Sequence, residues 1–116
     1  MRSIIAAAVL AAAVAAASSA VATSLTVNHE LIGAMAPDAC LARARDSLRA
    51  AGLSPLQGSG NAAFAETGDY VVALYCIAAQ GAIVVTAAGP EVRETDPIVT
   101  RVLQAWREAG AAAPTK

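Results

Sequence analysis

The chain has 116 residues, enough for one small domain, and its formal net charge at pH 7 is −1. Eight basic and nine acidic residues leave no positive surplus, which argues against binding to nucleic acid or to an anionic membrane, because both need clustered positive charge. Arginine outnumbers lysine by seven to one and alanine is abundant, which indicates a bacterial source with a GC-rich genome.

Residues 1–22 have the pattern of a cleavable secretory signal peptide. Arg2 supplies a positive n-region, and residues 4–17 form an unbroken apolar h-region made chiefly of alanine. Ala20-Val21-Ala22 provides the small-x-small motif of a cleavage site. The motif predicts a mature chain that begins at Thr23, or at Val21 if cleavage follows Ala20.

A permanent membrane anchor is the alternative interpretation of this stretch. Residues 4–22 nearly reach the length of about 20 residues that a helix needs to cross a bilayer. However, alanine gains little free energy in hydrocarbon, and no Lys or Arg follows the stretch to stop transfer. We therefore expect export to the periplasm or the exterior, with no membrane attachment after the signal peptide is removed.

The mature chain contains two cysteines, Cys40 and Cys76. An even number of cysteines in a short exported chain is interpreted first as a disulfide, with two buried free thiols or an intermolecular bridge as the alternatives. Closing this loop would stabilise the fold by roughly 3 to 4 kcal/mol if chain entropy dominates. The sequence therefore predicts one disulfide, between Cys40 and Cys76.

Residues 23–36 give a mixed signal. Leu25 and Val27 alternate with polar residues as in a short strand, whereas the apolar residues at positions 31–35 have helical spacing. We expect a loosely structured N-terminal arm over this range.

Pro37 begins the first predicted helix, in which apolar residues recur at steps of three and four over about four turns. Gly52 ends this helix as a C-cap. Arg43, Arg45 and Arg49 lie on and around its polar side. We expect a solvated helix face there, and a site for an acidic partner is the less favoured alternative.

Three strands are predicted over residues 61–66, 70–78 and 82–88, where β-branched and aromatic residues are frequent. Turn residues at 67–69 and 80–81 separate them. Two consecutive tight turns between three strands argue for an antiparallel meander.

A second helix is predicted to begin at Pro97, with Asp96 as its N-cap, and to end at Gly110. Residues 111–116 are expected to be a disordered tail. Residues 37–110 then form a two-layer α+β domain in the order helix, three-stranded antiparallel meander, helix.

The strand at 70–78 places alternate residues on opposite faces of the sheet. If Cys76 is bonded to Cys40, its face lies under the first helix. The opposite face is the candidate interaction face, and its residues are Val71, Ala73, Tyr75 and Ile77. That face is equally apolar, so the second helix, the arm or another molecule must cover it. The other molecule would be a protein partner or a second copy in a homodimer.

The residue inventory excludes most site chemistry. His29 is the single histidine and Lys116 the single lysine. One chain with oxidised cysteines therefore builds neither a Cys/His metal site nor a Cys–His or Ser–Lys catalytic pair. The glycine-rich residues 57–60 lead into a strand rather than a helix, and so lack the donors of a phosphate-binding loop. We expect no metal ion, no cofactor and no catalytic residue.

Carboxylates leave one enzymatic alternative open. Glu66 and Asp69 flank a turn, and Glu91, Glu94 and Asp96 crowd the loop before the second helix. Turn and cap residues are commonly polar for local reasons, and these acids lack the spacing of a calcium-binding loop.

The leading interpretation is a small exported, non-enzymatic binding or interaction module that acts through the candidate interaction face or the loops around Gly58 and Glu91. The alternatives are a small hydrolase that uses Glu66 or Asp69, and a purely structural envelope protein. A hydrolase needs a concave pocket with a titratable group of shifted pKa, whereas a module needs a flat, exposed apolar patch.

Overall fold

The protein is described by a computed structural model over residues 24–56, 58 and 60–112. Its elements in chain order are β1 (Ser24–Leu31), α1 (Pro37–Ala50), β2 (Ser54–Leu56), β3 (Ala62–Thr67), β4 (Tyr70–Ile77), β5 (Ala82–Gly89) and α2 (Val92–Ala112). A short 3₁₀ turn, Ala78–Gln80, joins β4 to β5. The predicted signal peptide lies outside the described residues and stays a prediction. Neither of the two helices described is long and apolar enough to cross a membrane.

The strands form one antiparallel sheet in the order β1-β5-β4-β3-β2. The sheet therefore has five strands and not the three that were predicted. The two additional strands, β1 and β2, lie at its edges. β1 forms where we expected a loosely structured arm, and it pairs with β5 over its whole length. The spacing that resembled a helix arises because Ile32 and Met35, in the connection to α1, pack against the core.

Both helices pack on one face of the sheet, which gives a two-layer α+β domain. The predicted disulfide is confirmed: Cys40 of α1 is bonded to Cys76 of β4, and their Cα atoms are 6.1 Å apart. The largest fully buried side chains of the core between the helices and the sheet include Trp106, Leu48 and Leu74. Full burial of an apolar side chain of this kind contributes about 1.5 to 3 kcal/mol to stability.

The second helix begins earlier than its sequence signals predicted. α2 begins at Val92, and the carbonyl of Glu91 accepts its first backbone hydrogen bonds. Pro97 therefore lies inside the helix, where its missing N–H leaves one carbonyl without the usual donor. Asp96 is not the cap: its carboxylate accepts a hydrogen bond of 2.5 Å from the Thr26 hydroxyl of β1.

α2 also continues past Gly110, which we expected to end it. A Cβ at position 110 would overlap the guanidinium of Arg43, which crosses from α1. That guanidinium lies 4.1 Å from the centroid of the Trp106 ring, and its Nε donates to the Trp106 carbonyl at 3.1 Å. Arg43 is thus half-buried between the helices rather than on a solvated face, and this burial lowers its pKa.

Candidate interaction face

The sheet face opposite the helices carries apolar side chains on every strand, and we call it the open face. Its membership follows from the strand register, because directly paired residues point to the same side of a sheet. The residues are Leu25, Val27, His29 and Leu31 of β1, Ala82, Val84, Thr86 and Ala88 of β5, Val71, Ala73, Tyr75 and Ile77 of β4, Ala62, Phe64 and Glu66 of β3, and Ser54 and Leu56 of β2. No helix or strand of the described residues packs over this face.

Large apolar side chains on the open face are left exposed to solvent. The exposed fraction is 78% for Leu31, 64% for Leu25, 56% for Val27, 48% for Val71 and 45% for Leu56. Leu25 and Val71 belong to one row across the sheet, with Ala88 between them. Single exposed apolar residues are ordinary, whereas a contiguous apolar patch marks an interaction surface.

The four residues predicted from strand parity all lie on the open face. Val71 is exposed, Tyr75 and Ile77 are half-buried, and Ala73 is buried beneath its neighbours. The Tyr75 ring packs edge-on against Phe64, with 6.1 Å between the ring centroids. The second helix and the N-terminal arm were the two segments expected to cover this face, and both expectations are wrong. α2 lies on the same side of the sheet as α1, and the arm is itself a strand of the sheet. That a partner covers the face stays a prediction.

The edge strand β1 has the reverse of the usual polarity. Its polar side faces α2, where the hydroxyls of Thr26 and Thr95 are 2.7 Å apart and Glu30 accepts a hydrogen bond of 2.6 Å from Arg107. Thr95 is fully buried, so the Thr26–Thr95 hydrogen bond is part-buried beneath α2. The leucines and the valine of β1 point the other way, onto the open face. In an antiparallel sheet with one solvated face, the apolar side of a strand normally points to the core.

The open face is nearly free of charge. Its one carboxylate is Glu66, and its one side chain with a basic nitrogen is His29. The arginines of the described residues all lie on the helices: Arg43, Arg45 and Arg49 on α1, and Arg93, Arg101 and Arg107 on α2. The two sides of the domain are therefore chemically distinct, one charged and one apolar.

A cleft of about 500 Å³ lies on the helix side, between the β3–β4 turn and the first turns of α2. Tyr70, Ile98 and Arg101 are among its lining residues. The Tyr70 ring lies over Gly89, where any Cβ would overlap it. The Tyr70 hydroxyl is hydrogen-bonded to the Glu94 carboxylate, and this bond is the main reason that the pKa of Tyr70 is raised.

Of the carboxylates that left an enzymatic alternative open, Glu94 lines this cleft, but the two named for a hydrolase, Glu66 and Asp69, do not. Glu66 is exposed on the open face, Asp69 is exposed in the β3–β4 turn, and neither lines the cleft. His29 is exposed on the open face as well. Within the part of the chain that the structure describes, no group of three or more His, Cys, Asp and Glu side chains is arranged to hold a metal ion.

The two loops named as possible binding regions have local structural roles. Gly58 lies against the carbonyl of Ala62 so closely that a Cβ would overlap it. The Glu91 carboxylate accepts a hydrogen bond of 2.5 Å from Arg93, and the Glu91 carbonyl starts α2. The close approach to Ala62 accounts for the glycine at position 58, and the Glu91 side chain makes an exposed ion pair.

The sequence predicts the central part of the open face but not its edges. Leu25, Val27 and Leu31 fall within the predicted arm, and no sequence pattern places Leu56 or Phe64 on a surface. The alternation of Leu25 and Val27 with polar residues was the available signal for the first edge.

The fold and the open face define a class of protein: a two-layer α+β domain with helices on one side of an antiparallel sheet and an apolar surface on the other. Comparison of the chain with protein-family models, with curated proteins and with solved structures finds no match.

Proposed function

We propose that the chain is an exported, non-enzymatic interaction module that binds a protein surface through its open face. The main support for this proposal is the reversed polarity of β1. An edge strand that directs Leu25, Val27 and Leu31 away from the core exposes apolar area, and that area stabilises nothing in the isolated domain. Burial against a partner would recover the hydrophobic free energy of these side chains.

The composition of the open face supports the same proposal. The cores of protein interfaces are depleted in charged residues and enriched in aromatic residues, and aromatic side chains are frequent among the residues that dominate binding energy. The open face has one carboxylate and a central Phe64–Tyr75 pair. An apolar sheet surface without a concave pocket among the described cavities fits a macromolecular partner better than it fits a small substrate.

The two alternatives have weaker support. A hydrolase that uses Glu66 or Asp69 would need one of them in a concave pocket, whereas both are exposed and neither lines the cleft. A purely structural envelope protein would leave the apolar side of β1 without a reason to face outward. The interaction module is therefore the function that the arrangement favours.

Export is the part of this proposal that the N-terminal sequence supports. The disulfide is compatible with an oxidising compartment. We expect mass spectrometry of the protein recovered from the periplasm or medium of its source to find an N-terminus at Thr23, or in a smaller share at Val21. A recovered protein that retains residues 4–17 would contradict the signal-peptide interpretation.

Site-specific photo-crosslinking tests the interaction itself. We expect benzoylphenylalanine at position 71 to give a discrete cross-linked protein product, a second copy included, when cells of the source are illuminated. The matched control is the same residue at position 92: Val92 is 55% exposed against 48% for Val71, but it lies on α2, away from the open face. Products of equal yield from both positions, or from neither, would contradict the proposal.

A further inference from the structure

We infer that the partner on the open face is a second copy of this chain, so that two sheets pack face to face with the four helices outside. This inference rests on the proposed interaction function and names its partner. Two antiparallel sheets in such a sandwich lie about 10 Å apart, and the side chains of their inner faces interdigitate. Each copy would bury the apolar side of its own β1 together with that of its partner.

The area of the open face meets what a specific dimer needs. Strands lie about 4.8 Å apart and rise about 3.4 Å per residue, so the four long strands present a face of roughly 20 by 25 Å, or about 500 Å² per copy. Two such faces bury about 1,000 Å² in total, which is the lower limit for a specific interface. The three-residue β2 adds Leu56 at one margin. The face is thus large enough for a reversible homodimer.

The charge on the open face also fits a second copy. An interface about a two-fold axis brings a surface against itself, so any cluster of like charge on it would repel its own image. The open face carries the single carboxylate Glu66, at the margin beside β2, and no arginine. A partner of opposite charge would have nothing to pair with here, whereas an identical apolar face is complementary to it.

The experiment also distinguishes two other occupants of the open face. One is a different protein, which the same apolar surface would bind. The other is the N-terminal segment of residues 1–23, which precedes Ser24 at the edge of the sheet and is apolar over most of its length. The experiment therefore uses protein expressed from the full sequence and recovered in whatever form the cell produces, with its N-terminus determined by mass spectrometry.

Size-exclusion chromatography with light scattering measures the oligomer directly. We expect a particle of twice the chain mass that dissociates on dilution. Val71→Lys should raise the dimer dissociation constant by about tenfold or more, because it places a charge inside the interface. Val71 is paired across the strands with Glu66, so the new lysine has an acidic neighbour and the fold should survive. Val92→Lys adds the same charge on α2 and should leave the dissociation constant unchanged.

Each contrary result has a distinct meaning. A monomer at about 100 μM overturns the inference, whether or not the recovered chain retains residues 1–22. A dimer that Val71→Lys and Val92→Lys affect equally also overturns it, provided that far-ultraviolet circular dichroism shows both variants to be folded. A monomer whose position 71 still cross-links to another protein leaves the interaction module intact, and a monomer without that product overturns both proposals.

Discussion

Removing the disulfide with the pair Cys40→Ala and Cys76→Ala is expected to lower the free energy of unfolding by about 3 to 4 kcal/mol. The two cysteines are 36 residues apart in sequence, so the bond restricts a long loop of the unfolded chain. Both are also almost fully buried, Cys40 at 0% and Cys76 at 4% exposure, where α1 meets the central strand. Small domains have a total stability of about 5 to 15 kcal/mol, so this loss is a large share of it.

Urea denaturation at pH 7 measures the loss, with wild type in the presence of a reductant as the matched control. Reduced wild type and the double variant should agree to within about 1 kcal/mol, because both lack the cross-link and alanine differs from a buried thiol by little volume. Unreduced wild type should not react with a thiol probe in its native state. A double variant as stable as the oxidised wild type would contradict the expected effect.

The central part of the fold was predictable because its signals are local and agree with one another. α1 has a proline at its start and a regular apolar spacing, and the structure places it at Pro37–Ala50. β4 is a run of β-branched, aromatic and other apolar residues between two turns, and it is observed at Tyr70–Ile77. The export context then predicted the disulfide between these two elements, and that prediction is confirmed.

The edge strands were missed because their signals are short or mixed. β2 has three residues, among them Pro55, which is too few for an alternating pattern to be recognised. In β1 the apolar alternation was obscured by Ile32 and Met35, which follow it and belong to the core. Strand pairing across the sheet adds the decisive information, since β1 is stabilised by hydrogen bonds to β5, far away in sequence.

The boundaries of α2 show tertiary contacts overriding local signals. Asp96 followed by Pro97 has the pattern of a cap and first turn, but the Asp96 carboxylate bonds to Thr26 of β1 instead. Gly110 has the pattern of a C-cap, but its missing side chain makes room for Arg43. Neither partner is near in sequence, so no local pattern predicts these contacts.

Strand parity predicts which residues of β4 share the open face, but it does not predict that this face is exposed to solvent. Once Cys76 is assigned to the core, the side chain of its neighbour Tyr75 must point to the other face. Whether that face is covered depends on where α2 packs, and α2 lies beside α1, where the Arg43 guanidinium stacks on the Trp106 ring and donates to the Trp106 carbonyl. With both helices on one side, no helix or strand of the described residues covers the opposite side of the sheet.

That contact between the helices carries the second large effect: Trp106→Ala is expected to lower the free energy of unfolding by about 3 to 5 kcal/mol. Trp106 is 1% exposed and is the largest fully buried side chain of the described residues. Its removal leaves a cavity between α1, α2 and the sheet and deprives Arg43 of the ring beneath its guanidinium. Urea denaturation measures the loss, and Trp106→Phe should retain much of the stability because a ring still fills part of the site.

A double-mutant cycle isolates the part that comes from Arg43. Arg43→Ala should cost about 0.5 to 2 kcal/mol more in wild type than in the Trp106→Ala background, because a partly desolvated cation over an aromatic ring contributes about that much. The hydrogen bonds from Arg43 go to the backbone carbonyl of residue 106, which both backgrounds retain, so they cancel in the cycle. Arg49→Ala is the matched control on the same helix: its exposed ion pair with Asp46 contributes little, and it should show no coupling to position 106. Coupling of equal size for Arg43 and Arg49 would mean that the loss reflects a general loosening of α1. Coupling confined to Arg43 would place the stacked guanidinium among the contacts that hold both helices on one side of the sheet.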